Sequence, residues 1–344
     1  MTTTTDAAPP RPVFGSPTPT FSWGEVVWYN VIILSVWHAM AVYTLFFVLP
    51  QASFVAILTL WVGLWFFSGL GITAGAHRLW AHRSYKARLP LQIFLALCNS
   101  MAFQGSIYEW SRDHRVHHKG SDTTADPHNS RRGFFFAHMG WVMVRKHADV
   151  FREGKKMNFA DLDNDKLVQF QKKHYLASVL LMCYVFPSIV GYLCFDSAWQ
   201  GFWIGGVYRH VWVLHMTWCV NSVAHFFGYK PYDRNSRAVE NLFVSIGAIG
   251  EGWHNYHHRY PTDYATGEMG VTGQWNPTKG FIDLMASVGL AYDMKRSTTA
   301  AATREKNRIA VDREILKGVL QPPSSIDQFV NWLFFGRTED QSVF

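Results

Sequence analysis

Three short clusters stand out among the sixteen histidines of the chain. They read His77-Arg-Leu-Trp-Ala-His82, His114-Arg-Val-His117-His118 and His254-Asn-Tyr-His257-His258, and a further histidine closes an apolar run at His225. Imidazole nitrogen is a common ligand of iron, copper and zinc. The clusters therefore predict a metal centre with nine ligands, namely His77, His82, His114, His117, His118, His225, His254, His257 and His258.

The spacing within the clusters indicates two metal ions rather than one. Residues three apart lie near one face of a helix, whereas adjacent residues are turned by about 100°. We therefore predict that each His-x-x-His-His cluster divides between two ions, with its first two histidines on one ion and its last on the other. The first ion then takes His114, His117, His254 and His257, completed by His225; the second takes His118 and His258, completed by His77 and His82.

His77 and His82 need a special arrangement to share an ion. They are five residues apart, which places them about 140° off a common face of an α-helix. We expect the helix to end or unwind there if both side chains bind metal.

The ligand type alone leaves the identity of the metal open. All-nitrogen ligation suits zinc and copper as well as iron. Zinc is redox-inert and would favour hydrolysis at a three-ligand site with a glutamate base. Glu251, the nearby candidate, is equally suited to orient an imidazole. Nine ligands beside a hydrocarbon phase favour two iron ions and oxygen chemistry.

Long apolar stretches must position these ligands. The stretches at about 26–49, 54–76, 175–195 and 202–226 are each long enough to cross the hydrocarbon layer of about 30 Å. They predict an all-α integral membrane protein with four transmembrane helices and a cytosolic helical cap, formed by 77–174 and 227–295, that holds a di-iron centre. The stretch Leu89–Ile107 is interrupted by polar residues and indicates an interfacial helix rather than a fifth span.

Charge predicts the orientation. Residues 78–173 carry 17 Lys or Arg, whereas the links after Pro50 and Phe195 carry none, so the positive-inside rule places that segment and both termini in the cytosol. The net charge of +7 is then expected to meet anionic lipid or a phosphorylated ligand, and nucleic acid is not an expected partner. Arg209 and His210 lie inside the fourth apolar run, where they are costly unless they reach a buried partner or the interface.

The two ends of the chain differ from the middle in composition. Residues 1–22 are rich in Thr and Pro and predict a disordered segment. Residues 23–295 are expected to form one domain, and 296–344 a C-terminal tail. The four cysteines indicate neither a disulfide framework nor a zinc motif.

Four stretches of sequence resemble the acyl-CoA Δ9 desaturase (stearoyl-CoA desaturase-like) family of membrane histidine-box enzymes. They are Gly71-Ile-Thr-Ala-Gly-Ala-His-Arg-Leu-Trp80, Arg112-Asp-His-Arg-Val-His-His-Lys119, Asp126-Pro-His-Asn-Ser-Arg-Arg-Gly-Phe-Phe-Phe136 and Gly250-Glu-Gly-Trp-His-Asn-Tyr-His-His258. The resemblance extends from about Trp23 to Lys295. It implies four spans, two iron ions, nine histidine ligands, and Asn221 reaching one iron through water.

The resemblance also implies a bent tunnel for a long-chain acyl-CoA. Residues matching the kink of the tunnel are Gln104, Trp110, Thr217 and Trp218, and those matching its blind end are Trp65 and Gly69. Residues matching contacts to the CoA head are Asn30, Arg112, Asp113, Arg145 and Lys146. Two positions depart from the family pattern, because Tyr29 stands where Arg is usual and Gly105 where Asn is usual.

The expected reaction is the insertion of a cis double bond with O₂ in the membrane of the endoplasmic reticulum. The chain has no His-Pro-Gly-Gly haem-binding segment, so the resemblance implies separate electron donors, cytochrome b5 and its reductase. Three alternatives remain at this point: a histidine-box lipid hydroxylase, a zinc-dependent membrane hydrolase and a non-catalytic lipid-binding protein. An alkene product would separate the first from a desaturase, and metal analysis and O₂ consumption would separate the second.

Overall fold

The computed structural model describes residues 22–269, 271 and 273–297. The predicted disordered segment 1–22 and the predicted tail 296–344 therefore lie outside the described residues, except for Ser22, Arg296 and Ser297. Regular structure in the described part is almost all helical, as the all-α class predicts.

The helices are numbered here in chain order. They are α1 Trp28–Gln51, α2 Phe54–Ala81, α3 Leu89–Ala102, α4 Ile107–Gly120, α5 136–143, α6 Ala148–Gly154, α7 Ala160–Asp163, α8 Lys166–Lys173, α9 Tyr175–Phe195, α10 198–221, α11 Val223–Phe226, α12 Leu242–Gly247, α13 His254–Arg259 and α14 Pro277–Ser287. Single helical turns occur at Trp23–Glu25 and Ser130–Arg132. Two short strands, β1 Lys86–Ala87 and β2 Ala291–Tyr292, pair antiparallel, with Lys86 opposite Tyr292.

Three of the helices, α1, α2 and α9, are long and apolar enough to cross a bilayer. Their outward faces carry large exposed apolar side chains such as Phe46, Phe54 and Leu193. Apolar surface of this extent is stable against lipid and unfavourable against water. The chain is therefore a membrane protein. The predicted fourth span is the helix α10, which carries Arg209 and His210 and is not among these three.

Helices α9 and α10 form a hairpin that packs backbone against backbone. A Cβ atom on Gly201 would lie 2.3 Å from the carbonyl oxygen of Pro187. The absence of a side chain is therefore what allows the two helices to approach. Gly71 plays the same part between α2 and α3, since a Cβ there would lie 2.2 Å from the backbone nitrogen of Asn99.

Arg209 is completely buried and joins several helices. Its guanidinium donates hydrogen bonds to the carbonyl oxygens of Gly205 (2.7 Å), Met101 (2.7 Å) and Cys183 (3.2 Å), and to the hydroxyl of Ser68 (2.9 Å). Met101 lies at the C-terminal end of α3, where unpaired carbonyls and the helix dipole favour a cation. Of the two alternatives that the sequence left open for Arg209, the structure has the buried partners, which are three carbonyls and one hydroxyl.

The predicted cap, 77–174 and 227–295, begins at the end of α2. Helix α4 begins with a capping box, in which Ser106 Oγ accepts from the Glu109 N–H (3.2 Å) and Glu109 accepts from the Ser106 N–H (3.2 Å). Such a box fixes where a helix begins. Helices α4 and α13 each carry one of the His-x-x-His-His clusters, so the packing of these two helices against the end of α2 positions most of the predicted ligands.

Candidate metal centre

The nine predicted ligands come together in two groups. Within each group, one ligand nitrogen from every ring lies within 4.8 Å of all the others. The first group consists of His77, His82, His114, His118 and His257. The second group consists of His117, His225, His254 and His258. Separate parts of the chain therefore converge, as predicted, in two groups that could each hold a metal ion.

The assignment of ligands to the two positions was predicted wrongly. On α4, His114 shares its group with His118, and His117 belongs to the other; on α13, His254 shares its group with His258, and His257 belongs to the other. The prediction paired residues three apart. Around an α-helix, residues four apart differ by only about 40° and residues three apart by about 60°. The closer pair converges better on one ion, so the i and i+4 histidines go together.

His77 and His82 share a face because the end of α2 is wider than an α-helix. The His82 N–H donates to the carbonyl oxygen of His77 at 2.9 Å, a bond from residue i+5 to residue i. With this hydrogen-bond pattern five residues complete about one turn. The two rings consequently lie 4.7 Å apart, centroid to centroid. Wide turns of this kind are frequent at functional sites.

A carboxylate lies against the outer ring nitrogen of three of the histidines. Glu251 Oε2 is 3.0 Å from His77 Nδ1, Asp126 Oδ1 is 2.8 Å from His117 Nδ1, and Asp122 Oδ1 is 3.3 Å from His225 Nδ1. A carboxylate at Nδ1 keeps the proton there and leaves the Nε2 lone pair for a metal. For Glu251 the sequence left this role open beside that of a catalytic base, and it did not point to Asp122 or Asp126. Their position, four and eight residues after His118, was the available signal.

Electrostatics keep these carboxylates charged. Burial alone would raise the pKa of Glu251, but the Arg78 guanidinium and His77 outweigh it and leave that pKa lowered. Arg78 is itself completely buried and donates to Glu251 Oε1 through both Nε (3.0 Å) and Nη2 (2.9 Å). Burial likewise raises the pKa of Asp122 and Asp126, but the neighbouring histidines outweigh it, so both pKa values are lowered.

The cap histidines are neutral for the complementary reason. Burial, reinforced by neighbouring imidazoles, lowers the pKa of five of them well below the ordinary value of 6.5; they are His114, His118, His254, His257 and His258. A neutral imidazole is the form that ligates metal. In both groups Nε2 atoms face one another at short range, as in His82 with His114 (2.9 Å) and His225 with His254 (3.1 Å). Converging lone pairs fit a bound cation.

Comparison with known proteins identifies the family of this chain. Residues 52–264 match the model of the fatty acid desaturase family. A stearoyl-CoA desaturase 5 from Bos taurus is 51% identical over 83% of this chain and 84% of its own length. An acyl-CoA desaturase from Cyprinus carpio is 54% identical over 82% and 86%, and an acyl-CoA Delta-9 desaturase from Acheta domesticus is 47% identical over 83% and 79%. The chain belongs to the fatty acid desaturase family.

Several residues predicted for the tunnel of this desaturase-family chain lie close to the metal centre or to one another. Gln104 Nε2 donates to Thr217 Oγ1 at 3.0 Å, and this hydrogen bond joins the segment after α3 to α10. The Trp110 ring stacks on the ring of His114 in the first group, with centroids 4.8 Å apart. Trp218, which follows Thr217 on α10, is buried.

The two residues predicted for the blind end contact the region around α12. Trp65 Nε1 donates to the carbonyl oxygen of Gly247 at 3.2 Å. A Cβ atom on Gly69 would lie 2.8 Å from Ile249 Cδ1, so Ile249 occupies the space beside this glycine. The same backbone segment leads directly to Glu251, behind His77.

The residues predicted for the CoA head fall into two places. Asp113 pairs with Arg112 (2.9 Å) and contacts the Lys146 ammonium. Asn30 donates to the carbonyl oxygen of Val142 at 2.7 Å, and the Arg145 N–H donates to the Glu25 carbonyl, so both lie where the start of α1 meets the segment after α5.

Asn221 is the last residue of α10, and Ser222 separates it from the short helix α11, which carries His225. Asn221 therefore lies close in sequence to His225, a member of the second group. Its contact with a metal through water stays a prediction.

Proposed function

We propose that this chain is an acyl-CoA desaturase that inserts a cis double bond, at the Δ9 position, into a long-chain saturated acyl-CoA with O₂. The observation that carries the proposal is the convergence of nine histidines in two groups, backed by carboxylates, beside membrane helices. The names of relatives that share about half of the sequence point to the same reaction.

The proposed cofactor is a pair of iron ions, the first held by the five-histidine group and the second by the four-histidine group. The donor set fits, because the Nε2 atoms of the rings converge and carboxylates lie at the outer nitrogens of three of them. When bound, two iron ions would supply the one-electron chemistry that O₂ activation and C–H cleavage need, which zinc cannot supply. Asn221 is proposed to complete the second group through water.

The tunnel residues are proposed to place one C–C bond next to this centre. An unactivated methylene offers no electronic handle, so its selection must come from position. The Gln104–Thr217 hydrogen bond joins the cap to α10, and Trp110 lies directly against His114. In this proposal Trp218 shapes the same bend, and Trp65 and Gly69 close the tunnel.

The CoA head is proposed to bind the cluster around Asp113. Arg112 and Lys146 supply cations suited to phosphate, and their present partner is the Asp113 carboxylate. Asn30 and Arg145 flank this cluster in the proposal.

The membrane arrangement is proposed to have four spans, with α10 as the fourth, and a cytosolic cap. The cations of residues 78–173 then face the cytosol together with both termini, in the membrane of the endoplasmic reticulum. The carbonyl partners of Arg209 support a buried α10, because they satisfy a charge that is otherwise costly in a bilayer. Electrons are proposed to come from cytochrome b5 and its reductase.

Expression in a desaturase-deficient host, with gas chromatography of the cellular fatty acids, tests the reaction. A new cis-monoenoic acid, dependent on iron, O₂ and cytochrome b5, is the expected result. An alcohol instead of an alkene would favour a lipid hydroxylase, and hydrolysis without O₂ consumption would favour the zinc enzyme. The matched control is His118→Ala, which removes one ligand of the first group and should abolish the product.

A further inference from the structure

A buried arginine of α4 lies against the end of α2. Arg115 is 9% exposed and directly follows His114 of the first ligand group. Its Nη2 donates a hydrogen bond to the carbonyl oxygen of Trp80 at 2.8 Å, and its Nε donates to that of Ala81 at 3.0 Å. The guanidinium therefore binds the last two carbonyl oxygens of α2.

The wide end of α2 needs more outside donors than the end of an α-helix. Where each N–H bonds to the carbonyl five residues back, the last five carbonyl oxygens have no donor inside the helix, one more than in an α-helix. The Ser84 N–H supplies the Arg78 carbonyl at 2.9 Å. Arg115 supplies the carbonyls of Trp80 and Ala81, and its positive charge is favourable at the negative end of the helix dipole.

A serine one turn earlier on α4 makes a similar contact. Ser111 Oγ donates to the carbonyl oxygen of Ala76 at 3.1 Å. Ser111 and Arg115 are four residues apart, so they lie on one side of the helix. His114 and His118 lie on the same side, because all four directions fall within about 100°. One face of α4 therefore both holds the end of α2 and presents two rings to the first ligand group.

A carboxylate fixes the direction of the guanidinium. Arg115 Nη1 donates to Asp161 Oδ1 of α7 at 2.8 Å, and Nη2 contacts Asp161 Oδ2. Two parallel bonds between a planar guanidinium and a carboxylate allow one orientation, and they also compensate a buried charge. With Asp161 in place, the Nε of Arg115 and the second hydrogen of Nη2 are directed at α2.

The position of His82 depends on the turn that Arg115 contacts. His82 directly follows Ala81, and its Nε2 lies 2.9 Å from His114 Nε2 in the first group. An ordinary α-helical turn would set the side chains of His77 and His82 about 140° apart. His82 would then leave the first group.

We propose that Arg115 is a positioning residue of the first metal position: by binding the carbonyls of Trp80 and Ala81 it keeps the wide turn in place, and with it His82. The inference rests on the metal centre of the proposed desaturase function. The members of the second group lie on α4, α11 and α13. Loss of Arg115 should therefore weaken one metal position and spare the other.

The first test measures zinc binding at each position separately, on full-length protein in lipid nanodiscs. His225→Ala disables the second group and His257→Ala disables the first, so that each protein retains one zinc ion. Adding Arg115→Gln should lower the zinc affinity of the His225→Ala protein by about tenfold, the low end for a contact behind a ligand. The zinc affinity of the His257→Ala protein should not change. Competition with a chelator measures both.

Two further variants separate positioning from a general loss of stability. Asp161→Asn keeps the size of the side chain but weakens its hold on Arg115, so it should lower the zinc affinity of the first position by a smaller factor. Arg209→Gln is the matched control, because Arg209 is also buried and also donates to carbonyl oxygens, those of Gly205 and Met101, which belong to neither ligand group. It should change neither zinc affinity. Equal weakening of both positions by Arg115→Gln, or of the first position by Arg115→Gln and Arg209→Gln, would overturn the proposal.

Hydrogen exchange tests the turn itself in the metal-free protein. The His82 N–H bonds to the His77 carbonyl in the wide turn, so the exchange rate of a peptide covering 77–85 reports its opening. Arg115→Gln should speed exchange there by about tenfold, the effect of losing a hydrogen bond to a charged group, and should leave a peptide covering α13 unchanged. A wild-type exchange rate in 77–85 would refute the role of Arg115, whatever happens to zinc.

A conservative variant covers the case in which Arg115→Gln does not fold. Arg115→Lys keeps the charge near the carbonyls but loses the planar fork. Its zinc affinity and exchange rate should lie between those of the wild type and Arg115→Gln. Wild-type values for both in Arg115→Lys would mean that charge alone suffices, which contradicts a role for the fork that binds two carbonyls.

Turnover distinguishes this proposal from the desaturase function. At limiting iron, Arg115→Lys should lower kcat and leave KM for the acyl-CoA unchanged, and an excess of iron should restore most of the loss. If the wild type forms no alkene, the desaturase function fails, and the zinc and exchange measurements still judge Arg115. If the wild type forms an alkene and the Arg115 variants match it in zinc affinity and exchange, the positioning role fails and the function stands.

Discussion

Histidines serve two regions of this molecule in different ways. In the ligand groups the rings approach one another through Nε2, and carboxylates lie behind several of them, as Glu251 does behind His77 at 3.0 Å. A separate line of three rings, His38, His215 and His138, is called the imidazole chain here. Its rings meet end to end, and the line closes on the carbonyls of Leu34 and Trp218. What faces the second nitrogen decides whether a ring presents a lone pair to a common point or takes its place in a line of hydrogen bonds.

The difference follows from the backbone that carries each ring. The ligand groups draw their pairs from single helices, where residues four apart point the same way. The imidazole chain draws one ring from each of α1, α10 and α5, so neighbouring rings approach from different directions. Four predictions test this comparison, beginning with the largest expected effect.

Removing a ligand should affect one metal position far more than any change in the imidazole chain. His257→Ala removes a ring of the first group whose Nε2 lies 3.0 Å from His77 Nε2 and 2.9 Å from His118 Nε2. We expect the iron content to fall from two ions per chain toward one and alkene formation to drop by more than about 100-fold, beyond the usual loss for an outer contact. Elemental analysis and gas chromatography measure both, with His174→Ala as the control. Two ions retained in His257→Ala would contradict the grouping.

Replacing a carboxylate behind a ligand should have the next largest effect. Asp126→Asn keeps the shape but weakens the hold on the His117 Nδ1 proton, now at 2.8 Å from Asp126 Oδ1. Metal affinity of the second group should fall by about 10- to 100-fold. Metal release to a chelator measures it. Asp149→Asn is the matched control, because Asp149 is equally buried but faces Thr124 and Arg152 instead of a ligand; equal effects of the two substitutions would argue against the orienting role.

The metal-free protein should lose stability on mild acidification. The cap histidines have a folded pKa below 6.5, the value expected for the unfolded chain. Below pH 6.5 the unfolded chain therefore binds protons that the folded chain does not, and stability falls as the pH falls, by up to about 1.4 kcal/mol per pH unit for each histidine. Above pH 6.5 this contribution is flat. Thermal unfolding of chelator-treated protein between pH 5 and 8 measures the trend, and a midpoint that stays constant or rises on acidification would exclude it.

The smallest expected effect is on metal content when the imidazole chain is broken. His138→Phe removes a ring that is joined to Ser222 and His215 and belongs to neither ligand group. We expect two iron ions per chain to remain within measurement error. A loss of one ion would mean that the imidazole chain supports the second group directly, and the two regions would then act as one.

How far the sequence alone reached can be judged from particular residues. The nine histidines that meet in the two groups could be picked out because the clusters recur at short, regular spacing. For Arg209 the sequence left a buried partner and the membrane interface as alternatives, and the structure has the buried partners. Asp122 and Asp126 were missed because they lie in a loop between helices, where no periodic pattern predicts the direction of a side chain.

The division of the ligands shows the same limit more sharply. For His114, His117 and His118 the prediction paired residues three apart, although residues four apart differ less in direction around a helix. The grouping also depends on where the facing helix places its own rings. That information lies in the packing of α4 against α13. His77 and His82 belong to the same group because the helix there has a hydrogen bond from residue i+5 to residue i, and the residue types do not predict such a bond.

The amino-acid sequence determined the ligand type, the helical class and the membrane character, since these depend on residue chemistry and on the length of apolar runs. The tertiary structure decided which rings share a metal position, which carboxylates orient them, and which histidines form a separate line. Those outcomes depend on distances of about 3 Å between residues far apart in the chain, and such distances are set only when the helices pack.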